Sequence, residues 1–266
     1  MGLSDVHAHL THPRLREQLP EILQRAAAAQ LSAIISNGLN PGDNQAVLEL
    51  AREHPIVRPA LGFYPVDTVL NEMLAAGVDY PREGPTYTAE EGVAFVRDHI
   101  DQAIAVGEIG LDGYWVPEPF WAQQEAVFCE LVKLAIAADK PIIIHTRKRE
   151  RRAFELLQEL GAKRVNWHCY GGKLKLARQI AEHGHYFSIP ANARRSETFT
   201  RMLQTFPREQ LLLETDCPYL APEPGGNSEP ADVARTAAYA AELWQCTAEE
   251  VSTQNSANFH ALFDPR

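Results

Sequence analysis

Short β-branched or apolar runs alternate with longer stretches of helical periodicity from one end of this chain to the other, eight times over. The spacing predicts strands over residues 3–9, 31–38, 57–64, 103–111, 141–146, 164–170, 186–189 and 211–216. Residues 123–138 show the helical pattern most clearly: Ala126, Val127, Leu131, Leu134 and Ala135 recur at i, i+3, i+4 spacing. Residues 149–160, 174–183 and 232–244 read the same way, and Thr88-x-x-Glu91 and Thr247-x-x-Glu250 open helices as capping boxes. Eight strand–helix units predict an α/β fold, a (β/α)8 TIM barrel formed as one domain over residues 1–266. An open doubly wound sheet usually uses fewer strands. The one irregular stretch, residues 66–87, follows the third strand, where a barrel carries its lids and substrate loops.

A barrel of this kind keeps its chemistry at the carboxyl ends of the strands, and that rule sorts the ten histidines. The segment Asp5-Val-His-Ala-His-Leu10 brings His7 and His9 to the end of the first strand, on one face because side chains alternate with period two. The fourth strand, AVGEIGLD, carries Glu108. The fifth, PIIIHT, ends in His145, the sixth in His168 and the eighth, LLLETD, in Asp216. A second H-x-H pair, His183 and His185, enters the seventh strand from the opposite, structural rim and is read as non-ligating, as are His12, His54, His99 and His260.

Any one of these residues alone is ordinarily a hydrogen-bonded core group. Four imidazoles and two carboxylates in one cavity are different, because burying them is expensive unless they are paired or bind metal. Imidazole and carboxylate suit divalent zinc, manganese, nickel or magnesium. Six ligands exceed one tetrahedral ion and suit two ions ~3.5–4 Å apart, bridged by a carboxylate and a hydroxide.

Those same residues lie in D-x-H-x-H at the start, V-G-E-I-G-L-D at 106–112, I-H-T-R at 144–147, H-C-Y-G-G at 168–172 and L-L-E-T-D-C-P-Y-L-A-P at 212–222. In order and spacing the set resembles the TatD family of metal-dependent hydrolases, within the amidohydrolase superfamily, over nearly the whole chain. The resemblance implies a TIM barrel with two divalent metal ions and, for its characterised members, deoxyribonuclease activity. It makes His7, His9 and Asp216 ligands of one ion and His145 and His168 ligands of the other, with Glu108 bridging both. The chain also departs from the family pattern. Tyr64 stands where the family has a histidine in G-x-H-P, Gly171 replaces a serine, and the loop PEPGGNSEP (222–230) lacks the family's basic R-G-K segment. These changes bear on the substrate rather than on the metal centre.

The expected reaction is phosphodiester hydrolysis by a hydroxide generated at two cations that lower the pKa of water toward ~7. Asp216, beside it, is the expected proton acceptor alongside the catalytic Glu108, and Glu214 orients a histidine ligand from behind. Arg147, two residues after His145, is the expected phosphate grip, with Tyr64 and Tyr170 also at the substrate. Lys148, Arg149, Arg151, Arg152, Lys173, Lys175, Arg194 and Arg195 form an expected basic crescent on the same rim, and Tyr114, Trp115 and Phe120 offer rings for base stacking. The crescent matters because the chain carries a net charge of −10, which repels polyanions at a distance. The competing expectation is an ester or amide hydrolase, such as an aminoacyl-tRNA deacylase. Cys129, Cys169, Cys217 and Cys246 have neither C-x-x-C spacing nor disulfide-scaffold density. With no signal peptide, myristoylation pattern or membrane-length apolar run, a soluble cytoplasmic protein is expected, with DNA or another phosphate-bearing substrate and no obligate protein partner.

Overall fold

The computed structural model describes residues 2–81 and 84–264; Met1, Arg82, Glu83, Pro265 and Arg266, parts of the expected domain and of the 66–87 stretch, lie outside the described residues. The strands are β1 (Leu3–Ala8), β2 (Leu31–Asn37), β3 (Val57–Leu61), β4 (Ala105–Asp112), β5 (Ile142–Arg147), β6 (Val165–Trp167), β7 (Tyr186–Ile189) and β8 (Leu211–Leu213). All adjacent pairs are parallel, in sequence order. The ring closes where Asp216 N–H donates to His7 O at 2.8 Å and His9 N–H to Cys217 O at 2.9 Å. This is the expected (β/α)8 barrel.

Two layers of core hold it. Alternate strand residues such as Ile34, Val106, Ile109 and Ile144 pack outward against the helices, in one cluster with Val127, Leu131 and Leu157. The barrel interior is filled by Val6, Ala33, Ile35, Ala60, Ala105, Ile143 and Leu212. Phe259, Leu262 and Phe263 of the helix Ala248–Phe263 plug its amino-terminal end. Both predicted capping boxes form, at Thr88 and at Thr247.

Two β-bulges decide which way the site residues point. Asp5 pairs with Ile34 but Ala8 with Ser36, so β1 takes three steps where β2 takes two. Val6 lies in the barrel interior and Ala8 in the outer cluster, so strict alternation would have turned His7 outward; the extra residue turns it in. β4 repeats the device against β5, with Val106 opposite Ile142 and Ile109 opposite Ile144, and Glu108 is the residue it re-aims. Close approach at this level depends on Gly62, where a Cβ would lie 2.3 Å from Glu108 N.

β1, β2, β3, β6 and β8 stop earlier at their carboxyl ends than the sequence pattern suggests, whereas β4 and β5 each run one residue further and β7 ends at Ile189 as expected. β6 stops at Trp167 and β8 at Leu213, so His168 and Asp216 sit on the first turns beyond them. Cys169 (φ 42°) and Asp216 (φ 55°) are in the left-handed region, where non-glycine residues are held only by their surroundings. The stretch 66–87, expected to be irregular, contains a 3-10 turn (Asp67–Val69) and a short helix (Leu70–Ala75). Val66, Val69 and Met73 bury themselves against Val116, giving this flap its own small core beside the cavity mouth. No helix among the described residues is long and apolar enough to cross a membrane.

Candidate metal centre

Six side chains from five strands meet at the carboxyl end of the barrel. Glu108 is at the middle, and its two oxygens face different partners. Oε2 lies 3.4 Å from His7 Nε2 and 3.5 Å from His9 Nε2. Oε1 lies 2.9 Å from His145 Nδ1 and 3.8 Å from His168 Nε2. Asp216 Oδ1 completes one side, 3.6 Å from His7 Nε2 and 3.3 Å from His9 Nε2. All the residues expected as ligands are thus brought together, and the carboxylate expected to bridge is the one divided between the two imidazole pairs.

Each imidazole except one is oriented from behind. His9 Nδ1 hydrogen-bonds to Asn37 O at 3.1 Å, His145 Nε2 to Asp112 Oδ2 at 3.2 Å, and His168 Nδ1 to Glu214 Oε2 at 3.1 Å. Glu214 in turn accepts from Ser188 Oγ at 2.5 Å, and Ser188 accepts from Asn166 Nδ2 at 2.9 Å. Glu214 thus sits behind the His168 ring, tied to it and to Ser188. His7 is the exception: its Nδ1 is buried without a hydrogen-bond partner among the described residues, and its ring stacks on His168 at 3.6 Å between centroids.

Burial disfavours charge in every one of these groups, and the neighbours decide the outcome. For His9 the hydrogen bond to Asp216 and the charge of Glu108 outweigh burial and push the imidazole up to about 9. His145 reaches about 9 against the same burial cost through Asp112 and Glu108, and His168 about 9 through the charges of Glu214 and Asp216. His7, which burial and the neighbouring His168 act on together, goes down. Against burial, the imidazoles hold Glu108 well below the usual carboxylate range and lower Asp216 too. The cluster thus concentrates negative charge, from Glu108, Asp112, Glu214 and Asp216, around neutralisable imidazoles. That is the field of a cation site.

The donor chemistry fits divalent metal. Ligand atoms of His7, His9 and Asp216 lie within 4.8 Å of one another, and so do those of His7, Glu108 and His168. His145 is not in that second group, although its Nδ1 lies 2.9 Å from Glu108 Oε1; its Nε2 faces Asp112. Four carboxylates would balance two divalent ions in charge.

The cluster opens into a cavity of ≈ 660 Å³. Arg147 lines it with its guanidinium stacked 3.9 Å from the Tyr114 ring, and pairs with neither Asp112 nor Glu214 among the described residues. Tyr64 lines it too, 5.1 Å from His145 between ring centroids. Burial, then the charge of Glu108, raises the Tyr64 phenol, so it is a neutral donor.

Several expectations need correcting. Tyr170 is fully buried between Trp167 and Phe187, with its hydroxyl on Lys173 O, and does not reach the cavity. The hydrophobic cluster under β6 claims this ring. The basic crescent is partly neutralised: Arg149 and Arg152 share Glu125 and Arg194 pairs with Glu242, while Arg195 donates to Ala221 O and keeps its charge. Phe120 packs in the small core of the flap. His12, read as non-ligating, lines the cavity outside the candidate metal groups, with Nε2 3.2 Å from Tyr219 Oη.

Asp5 stands inside the D-x-H-x-H run, yet its type alone does not single it out. It accepts from His7 N–H and from both N–H and Oγ1 of Thr215, tying β1 to the turn that carries Asp216. Burial pushes its carboxyl well up. Asp112 is the other legible clue, the last residue of a strand that already holds Glu108.

Comparison with known proteins places the whole chain beside one family. The family model described as TatD related DNase matches residues 4–264. The chain is 31% identical to the uncharacterized metal-dependent hydrolase YabD of Bacillus subtilis over 270 residues, covering 98% of each chain. It is 28% identical to human deoxyribonuclease TATDN3, over 99% of this chain and 95% of that one. Among solved structures it superposes on YJJV, a TatD homologue of Escherichia coli, with a TM-score of 0.84 and 25% identity, covering 99% of this chain and 98% of that one.

Proposed function

The chain belongs to the TatD related DNase family, and from that premise we propose that it is a divalent-metal-dependent deoxyribonuclease holding two ions in one barrel domain spanning residues 1–266. The observation that carries the reading is the division of Glu108 between two imidazole pairs, which suits a carboxylate shared by two cations. His7, His9 and Asp216 would hold one ion and His145 and His168 the other. Bound there, such ions would acidify a water toward about pKa 7 and offset charge gathering on phosphate oxygens.

The rest is done by the chain's own residues. Asn37 O, Asp112 and Glu214 fix the rings of His9, His145 and His168, so the ligands are preorganised rather than recruited. Asp216, ionised at neutral pH and at the edge of the cavity, accepts the proton of the attacking water. Arg147, steadied on Tyr114, grips a non-scissile phosphate oxygen, and the neutral Tyr64 hydroxyl donates to the other side of the same group. Free cysteines throughout the chain fit action in the reducing cytoplasm.

The test is protein loaded with zinc, manganese, magnesium or nickel, assayed on labelled single-stranded DNA, an aryl phosphodiester and aminoacyl-tRNA. DNA and the phosphodiester are cleaved, and Glu108→Ala abolishes both activities. Wild-type cleavage of aminoacyl-tRNA alone would overturn the substrate, and an undiminished Glu108→Ala would overturn the mechanism.

A further inference from the structure

A second cavity, of ≈ 410 Å³, opens on the catalytic rim between the turn after β7 and the loop after β8. Its walls carry three arginines from two separate segments: Arg194 and Arg195 from the short turn Ala193–Arg195, and Arg235 from the first turn of the helix Val233–Trp244. Pro222 and Glu223, from the 222–230 loop that has no Lys or Arg of its own, form the opposite wall.

The arginines are held but not spent. Arg195 Nη2 donates to Ala221 O at 2.7 Å, which fixes the guanidinium and leaves its charge unpaired among the described residues. Arg235 lies 3.7 Å from Glu223, and Arg194 pairs with Glu242 while its guanidinium rests 4.4 Å from the Tyr239 ring. Both pairs are more than half exposed on each side, so they contribute little and exchange readily for a better anion. Asn192 also lines the cavity. Three guanidiniums against two carboxylates, Glu223 of the wall and Glu242 beside it, leave a net positive site suited to a phosphodiester anion.

We propose that this cavity is a second phosphate subsite, gripping the backbone of a single strand whose scissile phosphate lies at the imidazole–carboxylate cluster. The proposal rests on the nuclease reading. Its place supports it: Ala221, the acceptor for Arg195, is five residues beyond Asp216 on the same loop, so a strand leaving the metal centre along that loop reaches the arginines. The net charge of −10 makes such a local grip necessary, because the rest of the surface repels a polyanion.

The experiment uses the double variant R194Q/R235Q, which removes two exposed ion pairs and the Arg194 contact with the Tyr239 ring, and R195Q and R195K as single variants. Steady-state kinetics are measured on a single-stranded oligonucleotide and on bis(4-nitrophenyl) phosphate, which is too small to span both cavities. Expected is a KM for the oligonucleotide raised by about three- to tenfold, with the slope of log KM against log salt reduced by about 0.7 for each phosphate that the variant no longer grips. R195K recovers most of that slope, and the aryl phosphodiester changes by less than about twofold. An unchanged oligonucleotide KM overturns the subsite, and so does a parallel loss on both substrates. If the wild type cleaves no DNA, the nuclease reading fails by itself. Fluorescence anisotropy with the oligonucleotide then decides the subsite: weaker binding by the variants supports it, and equal binding or none by the wild type overturns it.

Discussion

The chain contains the same three-residue pattern, H-x-H, at two places, and the two copies end in opposite environments. His7 and His9 leave β1 at the carboxyl rim, where Glu108 and Asp216 push the His9 imidazole up to about 9 against its burial. His183 and His185 precede β7 at the other rim. His183 is exposed, bonded to Gln158 and Gln179 O. His185 is buried, and burial takes it down to about 4. It accepts from Trp167 Nε1 at 3.0 Å and donates through Nε2 to Ala162 O at 3.1 Å, a neutral ring with both nitrogens satisfied. One buried pair is surrounded by carboxylates and lacks a partner at His7 Nδ1; the other buried ring needs nothing more. The spacing of histidines is silent about metal, and the carboxylates around them speak to it.

That contrast can be broken most forcefully at Glu108. Glu108→Ala removes the carboxylate both imidazole pairs share, and bound metal measured by elemental analysis falls to background, with activity losses well beyond about 100-fold. Removing metal is a gentler probe. His9, His145 and His168 hold protons up to about pH 9 without an ion, so titrating metal at neutral pH releases protons. Affinity then falls as pH drops from 9 toward 6, and calorimetry in buffers of different ionisation heat measures the release; none released would sink the protonated-cluster picture. Glu214→Gln leaves the ligands in place but loosens His168, for a loss of about 10–100-fold in metal affinity or rate.

At the other pair the expected effects are on stability alone. His185→Leu leaves the Trp167 N–H and Ala162 carbonyl unpaired and costs about 1–3 kcal/mol in denaturant unfolding, with metal content unchanged. The pH dependence has a definite sign. The folded pKa of about 4 lies below the unfolded value, so the unfolded chain binds the proton first and wild-type stability falls as pH drops from about 6.5 to 4. In His185→Leu that part of the slope is absent. His183→Ala, at an exposed ring, changes stability by less than about 0.5 kcal/mol and activity not at all.

The strand count, the barrel and the six residues of the cluster were legible because each follows from local pattern plus one rule about which rim carries chemistry. Asp112 and Asp5 were within reach too, lying in the same strands as Glu108 and His7, but nothing in a carboxylate's type says whether it binds an ion, holds a histidine or ties two strands. Tyr170 shows the limit of the rim rule. It follows His168 by two, yet β6 has ended and the chain turns through Cys169, so alternation no longer decides where the ring goes. The basic crescent was thinned for a different reason. Charge counted along the chain takes no account of Glu125 and Glu242, which approach Arg149, Arg152 and Arg194 from other helices.

Periodicity by itself determined the eightfold alternation, and with it the rim at which His7, His9, Glu108, His145, His168 and Asp216 would gather. Only the tertiary structure decided which way those side chains face. A period of two carries no record of the extra residue in β1 and in β4, because a bulge arises from register with the neighbouring strand. The same holds for which arginines remain available to a phosphate: that depends on partners brought near by folding, at distances along the chain that no local pattern encodes.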